Sequence, residues 1–213
     1  MRNLYQEQLH RLNQELIQMG AACEEIIDLA AKSLTDYSPE LEEKTKQVGA
    51  VIDESERTIE NICLKLLLRQ QPVASDLRQI SAAMKMITDM ERIGDQAEDI
   101  VDLIPKMSGS AEEGPLQKMA KAAQTMVTEA VDAYVKQDLA LAKKVMGDDD
   151  IVDAYFNQVK SDIIAIIAAN PEDGEYALDL LMIAKYFERI GDHCTNIAEW
   201  VAFSVTGIRE ECQ

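Results

Sequence analysis

At 213 residues, with 47% hydrophobic and 28% charged side chains, the chain is long enough to bury a core and is expected to fold rather than stay disordered. Its net charge of −18 at pH 7 repels phosphate backbones and anionic membrane surfaces, so nucleic-acid binding is not expected. No apolar run reaches the ~20 residues that a membrane span requires. Residues 1–7 lack the apolar core of a secretory signal, so we expect a soluble cytoplasmic protein without membrane insertion.

Six segments with helical periodicity follow one another along the chain, and few breakers separate them. Apolar residues recur in these segments every three or four positions, and aromatic residues make up only 5% of the chain, as is typical of packed helices. The predicted helices cover residues 9–34, 48–67, 80–104, 119–135, 139–169 and 176–205. Because short turns join long helices, we expect consecutive helices to pack antiparallel in an all-α fold.

A pentapeptide is repeated within the chain. Glu91-Arg92-Ile93-Gly94-Asp95 occurs again, unchanged, at positions 188–192, an offset of 97 residues. Such self-similarity indicates one structural unit used twice. Glycine and proline are concentrated between positions 105 and 115, which indicates a linker between the copies. We therefore predict two tandem, similar three-helix bundles, at residues 1–107 and 115–213, joined by a linker at 108–114.

Each copy of the pentapeptide carries two carboxylates on one helix face, because residues four apart lie about one turn from each other. The pairs are Glu91 with Asp95 in the first repeat and Glu188 with Asp192 in the second. Two like charges one turn apart cost an isolated helix roughly 0.2–0.5 kcal/mol. A bound cation would explain why this arrangement occurs twice, since carboxylate oxygens are the ligands that hard cations prefer.

Acidic residues on the preceding helix are expected to face these pairs. If the hairpins turn near positions 72 and 171, Glu91 lies opposite about residue 52, Glu188 opposite about residue 155 and Asp192 opposite about residue 151. Asp99 extends the first pair by one turn, whereas Asn196 stands at the equivalent position in the second repeat. Each pair is therefore part of a larger candidate metal site. The preceding helix contributes Asp53 and Glu56 to the site in the first repeat, and Asp150 and Asp153 to the site in the second.

Other interpretations of these residues remain open at this point. The acidic residues could form an ordinary solvated face, and each Glu followed by Arg could be an exposed ion pair. Gly94 and Gly191 each cost their helix about 1 kcal/mol relative to alanine, which indicates either close helix packing or room for an ion. His193 and Cys194 point in different directions on a helix, which argues against a shared ligand role beside Asp192.

The sequence shows no recognisable catalytic arrangement. It has two histidines, no Gly-rich phosphate loop, no HExxH pair and no nucleophile beside a base, so we do not expect an enzyme. The cysteines at positions 23, 63, 194 and 212 form no CxxC pair, and free thiols in a reducing compartment are expected. The alternative is a metal-dependent enzyme or a metal-buffering protein that uses the carboxylate sites.

Four stretches of the sequence show a likeness to a known family. They are residues 68–78 (LRQQPVASDLR), 89–95 (DMERIGD), 185–193 (KYFERIGDH) and 195–200 (TNIAEW). These stretches, the length and the duplication resemble the PhoU family of phosphate-signalling regulators over essentially the whole chain. The resemblance implies two similar three-helix bundles, a cytoplasmic homodimer, and metal clusters at Glu91/Asp95 and Glu188/Asp192. Multivalent ions such as iron, zinc or magnesium are the candidates.

The resemblance also implies a function, namely negative regulation of the phosphate-starvation response. In the family, such regulators link the ATPase subunit of the phosphate ABC transporter to a membrane-anchored sensor histidine kinase. They repress signalling when phosphate is plentiful. In this chain, Arg78 in the first hairpin turn corresponds to Glu175 in the second, so the two halves carry opposite charges there. We therefore expect the two halves to be used differently by partners.

Overall fold

The structure is a computed structural model that describes residues 2–70, 73–107 and 114–208. In these ranges the chain forms six long α-helices, two single-turn 3₁₀ helices and no strand, so the predicted all-α fold is confirmed. No helix of the described ranges is both long and apolar enough to cross a membrane. The α-helices are α1 (Arg2–Ser33), α2 (Pro39–Gln70), α3 (Ala74–Leu103), α4 (Pro115–Lys136), α5 (Leu139–Ala169) and α6 (Gly174–Thr206).

The six helices form two similar three-helix bundles, as the internal repeat predicted. In each half the three consecutive helices pack against one another and turn their apolar stripes toward a continuous core. The halves meet through α1 against α4 and through α3 against α6. The helices that carry the repeated pentapeptides, α3 and α6, are therefore central neighbours, and each is flanked by the helix that precedes it.

Local sequence signals explain the turn between α4 and α5. Gln137 ends α4 in the left-handed conformation, with φ 53°. Asp138 then caps α5, because its Oδ1 accepts hydrogen bonds from the backbone N–H groups of Ala140 and Leu141, at 2.9 and 3.0 Å. This two-residue connection reverses the chain and makes α4 and α5 antiparallel, as expected for short turns between long helices.

The predicted boundary between the halves lies between the end of α3 and the start of α4. The first half ends in a 3₁₀ turn, Ile104–Lys106, and α4 begins at Pro115. The linker residues 108–113 and the hairpin turn at 71–72 lie outside the described residues. The division into 1–107, 108–114 and 115–213 therefore stays a prediction.

Three of the four cysteines lie in the core. Cys23, Cys63 and Cys194 are buried free thiols, and Cys212 lies outside the described residues. Burial raises the pKa of Cys23 and of Cys63 to about 12, so neither forms a thiolate near neutral pH. These residues serve as small apolar side chains of the core.

Arg78, whose charge distinguishes the first hairpin turn from the second, packs against the end of α6. Its Cδ, Nε and Cζ atoms lie 3.5 Å from the Cβ position of Gly207, which ends α6 in the left-handed conformation. A cation near a helix C-terminus is stabilised by the helix dipole. The arginine thus contributes to the contact between the halves, and its use by a partner stays a prediction.

Candidate acidic metal sites

In the first repeat, the structure brings carboxylates of α2 and α3 together. Burial raises the pKa of Glu91, and repulsion from the Asp95, Glu56 and Asp53 carboxylates raises it further. Burial also raises the pKa of Glu56, followed by repulsion from Glu60 and Asp53. Four of the predicted site residues thus lie within electrostatic reach of one another.

Arg92 neutralises part of this cluster from within the pentapeptide. Its Nη1 lies 3.0 Å from Asp95 Oδ2, and its Nε lies 3.4 Å from Glu91 Oε2. The guanidinium lowers the pKa of Glu91 and of Glu56, against the effect of the neighbouring carboxylates. The ion pair that the sequence left open is therefore present, and it engages the same carboxylates as the candidate metal site.

In the first hairpin, α2 and α3 are paired differently from the pairing that an even helical rise predicts. The Cβ position of Gly94 lies 3.2 Å from Ile52 Cδ1, and that of Gly49 coincides with the Glu98 carboxylate. These contacts place Glu91 opposite residues 55–56, about one turn further along α2 than expected. Glu56 is therefore level with Glu91, and Asp53 lies about one turn away.

Glu98 belongs to the first cluster although the sequence analysis did not include it. Gly49 leaves the space that the Glu98 side chain fills between α2 and α3. Burial raises the pKa of Glu98, and repulsion from Asp53, Asp95 and Asp102 raises it further. The first cluster consequently extends along the hairpin toward the end of α3.

In the second repeat, the largest pKa shift of the acidic cluster belongs to Asp149, which the sequence analysis also missed. Burial, followed by repulsion from Asp192, Asp153 and Glu188, raises the pKa of Asp149 to about 6. Burial and then Glu188 also raise the pKa of Asp192. Asp150 acts on Asp149 as well, so the four residues predicted for this site are brought together with Asp149 as their common neighbour.

Asp149 faces α6 because it lies about one turn from the buried Val145 and Val152 on the core side of α5. Gly191 provides the space for its carboxylate. The Cβ position of this glycine is 3.0 Å from Asp149 Oδ1 and 3.4 Å from Val152 Cγ1. The equivalent position of the first repeat is Ile52, so the same glycine contacts a carboxylate in one repeat and an apolar side chain in the other.

A lysine, Lys185, pairs with the second cluster, whereas Arg92 pairs with the first. Lys185 Nζ lies 2.6 Å from Glu188 Oε1. The ammonium groups of Lys185 and Lys160 also lie 5.7 and 5.5 Å from the centroid of the Phe156 ring. The carboxylates of the two identical pentapeptides are thus paired with different basic side chains in the two repeats.

Asn196, which stands at the position equivalent to Asp99, connects the two halves. Its Nδ2 donates to Asp89 Oδ1 at 3.2 Å, and His193 Nδ1 lies 2.9 Å from the same oxygen. Cys194, the neighbour of His193, is buried. The two residues therefore point in different directions, in agreement with the sequence analysis, and His193 is engaged at the contact between the repeats.

Asp99 also lies toward the opposite repeat. Burial raises its pKa, as do Asp95 and Asp102 on the same helix, whereas Arg189 of the second repeat lowers it. Asp99 in turn raises the pKa of Tyr186 on α6, after the effect of burial. Its role as a metal ligand stays a prediction, and the cation that lowers its pKa, Arg189, belongs to α6.

The carboxylate clusters fit a metal ion by their chemistry but not by their present side-chain arrangement. Among the described residues, no group of three or more His, Cys, Asp or Glu side chains is arranged to hold an ion. The donors are oxygens that hard cations prefer, and a cation would relieve their mutual repulsion. Asp95 and Glu188 are paired with Arg92 and Lys185, so these ion pairs would have to open before the two carboxylates could bind an ion.

The fold and the duplicated carboxylates define a class of protein: an all-α chain of two similar three-helix bundles, with an acidic cluster on the hairpin of each. The family model described as the PhoU domain matches the chain twice, over residues 16–104 and 116–201. These two matches coincide with the two bundles. The chain belongs to the PhoU family.

Relatives and solved structures cover nearly the whole chain. It is 31% identical over 210 residues to a phosphate-specific transport system accessory protein PhoU homolog of Clostridium acetobutylicum, covering 97% of this chain and 96% of the relative. A homolog of the same name from Aquifex aeolicus is 33% identical and covers 86% of this chain, with 84% of the relative covered.

Two crystal structures share the fold. PhoU from Pseudomonas aeruginosa superposes with a TM-score of 0.86 at 30% identity, covering 96% of this chain and all of that one. The phosphate transport system regulatory protein PhoU from Streptococcus pneumoniae superposes with a TM-score of 0.89 at 25% identity, covering 98% of this chain and 100% of that one.

Proposed function

We propose that this protein is a negative regulator of the phosphate-starvation response and acts as an adaptor rather than as an enzyme. In this proposal it is a cytoplasmic homodimer that links the ATPase subunit of the phosphate ABC transporter to a sensor histidine kinase. Membership of the PhoU family supports the proposal, as do relatives named accessory proteins of a phosphate-specific transport system. One structural neighbour is named a regulatory protein of phosphate transport.

The observation that carries this proposal is a pair of carboxylate clusters that the folded protein maintains despite repulsion. The pKa values of Glu91, Asp149 and Asp192 are raised by burial and by neighbouring carboxylates. Each cluster therefore costs stability, and the paired Arg92 and Lys185 offset only part of this cost. Such a cost, present in both repeats, supports a site for a cation or for a basic partner surface.

Within this function we propose that the clusters bind a multivalent cation such as iron, zinc or magnesium. When bound, the ion supplies positive charge at the clustered carboxylates. The chain's own residues hold the two helices of each hairpin at the spacing that brings these oxygens together. The residues that would hold the ion are Glu91, Asp95, Asp53, Glu56 and Asp99 in the first repeat, and Glu188, Asp192, Asp150, Asp153 and Asp149 in the second.

A reporter assay in cells tests the regulatory role. In a strain without its own copy of such a regulator, this chain should repress a phosphate-starvation reporter when phosphate is plentiful. Asp95→Asn combined with Asp192→Asn should leave the reporter active. Asp132→Asn, an exposed carboxylate paired with Lys136 on α4, should repress like the parent. Failure of the parent chain to repress, or full repression by the double variant, would contradict the proposal.

An activity assay separates the adaptor from the alternative of a metal-dependent enzyme. Metal-loaded protein is assayed for hydrolysis of phosphate esters and for oxidase activity. We expect no turnover that depends on the carboxylates. Turnover that is abolished by Glu91→Ala would establish the enzyme alternative instead.

A further inference from the structure

Large apolar side chains are exposed near the turn between α5 and α6. Ile164 is 69% exposed and Leu178 is 58% exposed, and two further apolar residues beside them are also exposed. Single exposed apolar residues are ordinary on a protein surface, but four on two adjacent helices form a patch. This patch, the α5–α6 tip, consists of Ile164, Ile167, Leu178 and Met182.

The two helices present Ile164 and Leu178 at the same height. The contact between Lys185 and the Phe156 ring fixes the antiparallel register of α5 and α6, and this register places Ile164 beside Leu178. Ile167 lies one turn from Ile164 on α5, as does Met182 from Leu178 on α6. Ile164 and Leu178 thus lie side by side across the hairpin, with Ile167 about one turn nearer the connection between the helices and Met182 about one turn further from it.

The α5–α6 tip shares a face with the second acidic cluster. Ile164 follows Asp153 by eleven residues, close to three full turns of α5, and Leu178 precedes Asp192 by fourteen, close to four turns of α6. Asp153 raises the pKa of Asp192, so these two carboxylates lie on one surface. The apolar tip therefore continues that surface by about 16 Å toward the turn.

The central neighbour of α6 does not cover this tip. Asn196 of α6 contacts Asp89 of α3, and the antiparallel register set by this contact places Leu103, the last residue of α3, level with Met182. The first two turns of α6 therefore extend past the end of α3. The apolar side chains at the turn are consequently accessible to a partner.

The hairpin turns of the two repeats have opposite charge. Residues 64–87 contain four basic residues and one acidic residue, a net charge of +3. The equivalent residues 161–184 contain five acidic residues and no lysine, arginine or histidine, a net charge of −5. Both turns expose apolar side chains, so charge is what distinguishes them. The five carboxylates are those of Asp162, Glu172, Asp173, Glu175 and Asp179.

We propose that the α5–α6 tip docks a basic amphipathic helix of a partner protein. Apolar side chains of that helix would cover Ile164 and Leu178, and its lysines or arginines would lie beside the surrounding carboxylates. The same tip of a second copy is a poorer occupant, because its five carboxylates would face and repel those of the first. The inference rests on the proposed adaptor role and gives the chemistry of one of its partners.

Binding of a designed peptide tests this inference. The probe is a fluorescent amphipathic helix of leucine and lysine, about 14 residues or four turns long, titrated with the full chain at low and at moderate salt. Ile164→Ser combined with Leu178→Ser should raise the Kd about tenfold or more. The matched control is Leu77→Ser, a residue 48% exposed near the basic turn of the first repeat. This control should leave the Kd within about twofold.

Three outcomes would overturn the inference. These are an unchanged Kd for the tip variant, an equal loss in Leu77→Ser, or sedimentation showing that Leu178→Ser converts a self-associated parent into monomer. The last result would assign the tip to a second copy of the chain. Circular dichroism melting checks that the exposed substitutions leave the fold intact. Peptide binding and repression in cells are measured separately, so failure of one is distinguishable from failure of the other.

Discussion

The Asp149 carboxylate lies against the position that a methyl group on Gly191 would take, with Oδ1 3.0 Å from the Cβ position of the glycine. In the first repeat, the Cβ position of Gly94 lies against Ile52 instead, 3.2 Å from its Cδ1. Two identical pentapeptides therefore pack against different chemistry. This difference allows the contribution of each repeat to be measured separately.

Asp149→Asn should stabilise the protein at neutral pH. Because the pKa of Asp149 is raised to about 6, its charged form destabilises the folded state above that pH. As pH falls from 7 toward the unfolded-state pKa near 4, the folded state takes up the proton first, and stability is gained. Allowing for solvent screening of this half-buried group, we expect a gain of about 1 kcal/mol for the variant at pH 7.

Urea unfolding at pH 7 and at pH 5 measures this effect. The parent should become more stable from pH 7 to pH 5, because the folded state takes up a proton at Asp149. Asp149→Asn cannot take up this proton, so its stability should rise less over the same pH change. The control is Asp150→Asn, an exposed neighbour, which should change stability by less than about 0.5 kcal/mol. Destabilisation by Asp149→Asn at pH 7 would show that the carboxylate makes net favourable contacts.

Alanine at the two repeated glycines should have unequal effects. A methyl group at Gly94 meets Ile52, which is buried in the core, so core side chains must shift to admit it. At Gly191 it meets the flexible end of Asp149, which can turn outward to solvent. Each substitution also gains about 1 kcal/mol of helix propensity.

We therefore expect Gly94→Ala to be less stable than Gly191→Ala by about 1 kcal/mol, as measured by urea unfolding. The two variants serve as controls for each other, since the flanking residues are identical. Equal stabilities, or the reverse order, would contradict the packing described for the two hairpins.

Arg92→Gln should strengthen metal binding by the first repeat. The guanidinium is paired with Glu91 and Asp95, so an ion has to displace it before it can bind both carboxylates. Calorimetric titration should show an affinity several-fold higher than that of the parent. Arg11→Gln, which removes an arginine paired with Glu15 on α1, should leave the affinity unchanged. A weaker affinity in Arg92→Gln would mean that the arginine supports the site.

Asp89→Ala should weaken the contact between the two repeats. Asp89 accepts from Asn196 and lies 2.9 Å from His193 Nδ1, so its removal leaves two half-buried polar groups without this partner. We expect a loss of about 1–3 kcal/mol in urea unfolding. Asp132→Ala, on the exposed face of α4, should cost less than about 0.5 kcal/mol. Equal stabilities of the two variants would contradict a structural role for this contact.

The helices and the duplication could be predicted because periodicity and an exact repeat are properties of the sequence itself. The pairing of α2 with α3 differed by about one turn from the expected one, since even helical rise takes no account of how the Glu98 side chain fits against Gly49. The pairing of α5 with α6 was closer to the expected one, because Glu188 and Asp192 lie near the carboxylates predicted to face them.

Which carboxylate of a run turns inward was harder to predict. The offset of 97 residues aligns Asp150 with Asp53, and this alignment passes over Asp149 because its counterpart is Ile52. A signal was nevertheless present, since Asp149 lies one turn from the apolar Val145 and Val152. The ion pair of Arg92 with Asp95 depends on side-chain rotation, which spacing alone does not determine.

Metal-dependent thermal unfolding tests most directly whether the duplicated carboxylates bind cations. Melting is recorded with iron, zinc and magnesium for the parent, for Asp95→Asn combined with Asp192→Asn, and for the control Asp132→Asn. We predict that at least one ion raises the melting temperature of the parent and the control, with about 2.7 kcal/mol of stabilisation at an ion concentration of ~100 times Kd. The double variant should show no shift. Melting that no ion changes, or an equal shift in the double variant, would contradict cation binding at these sites.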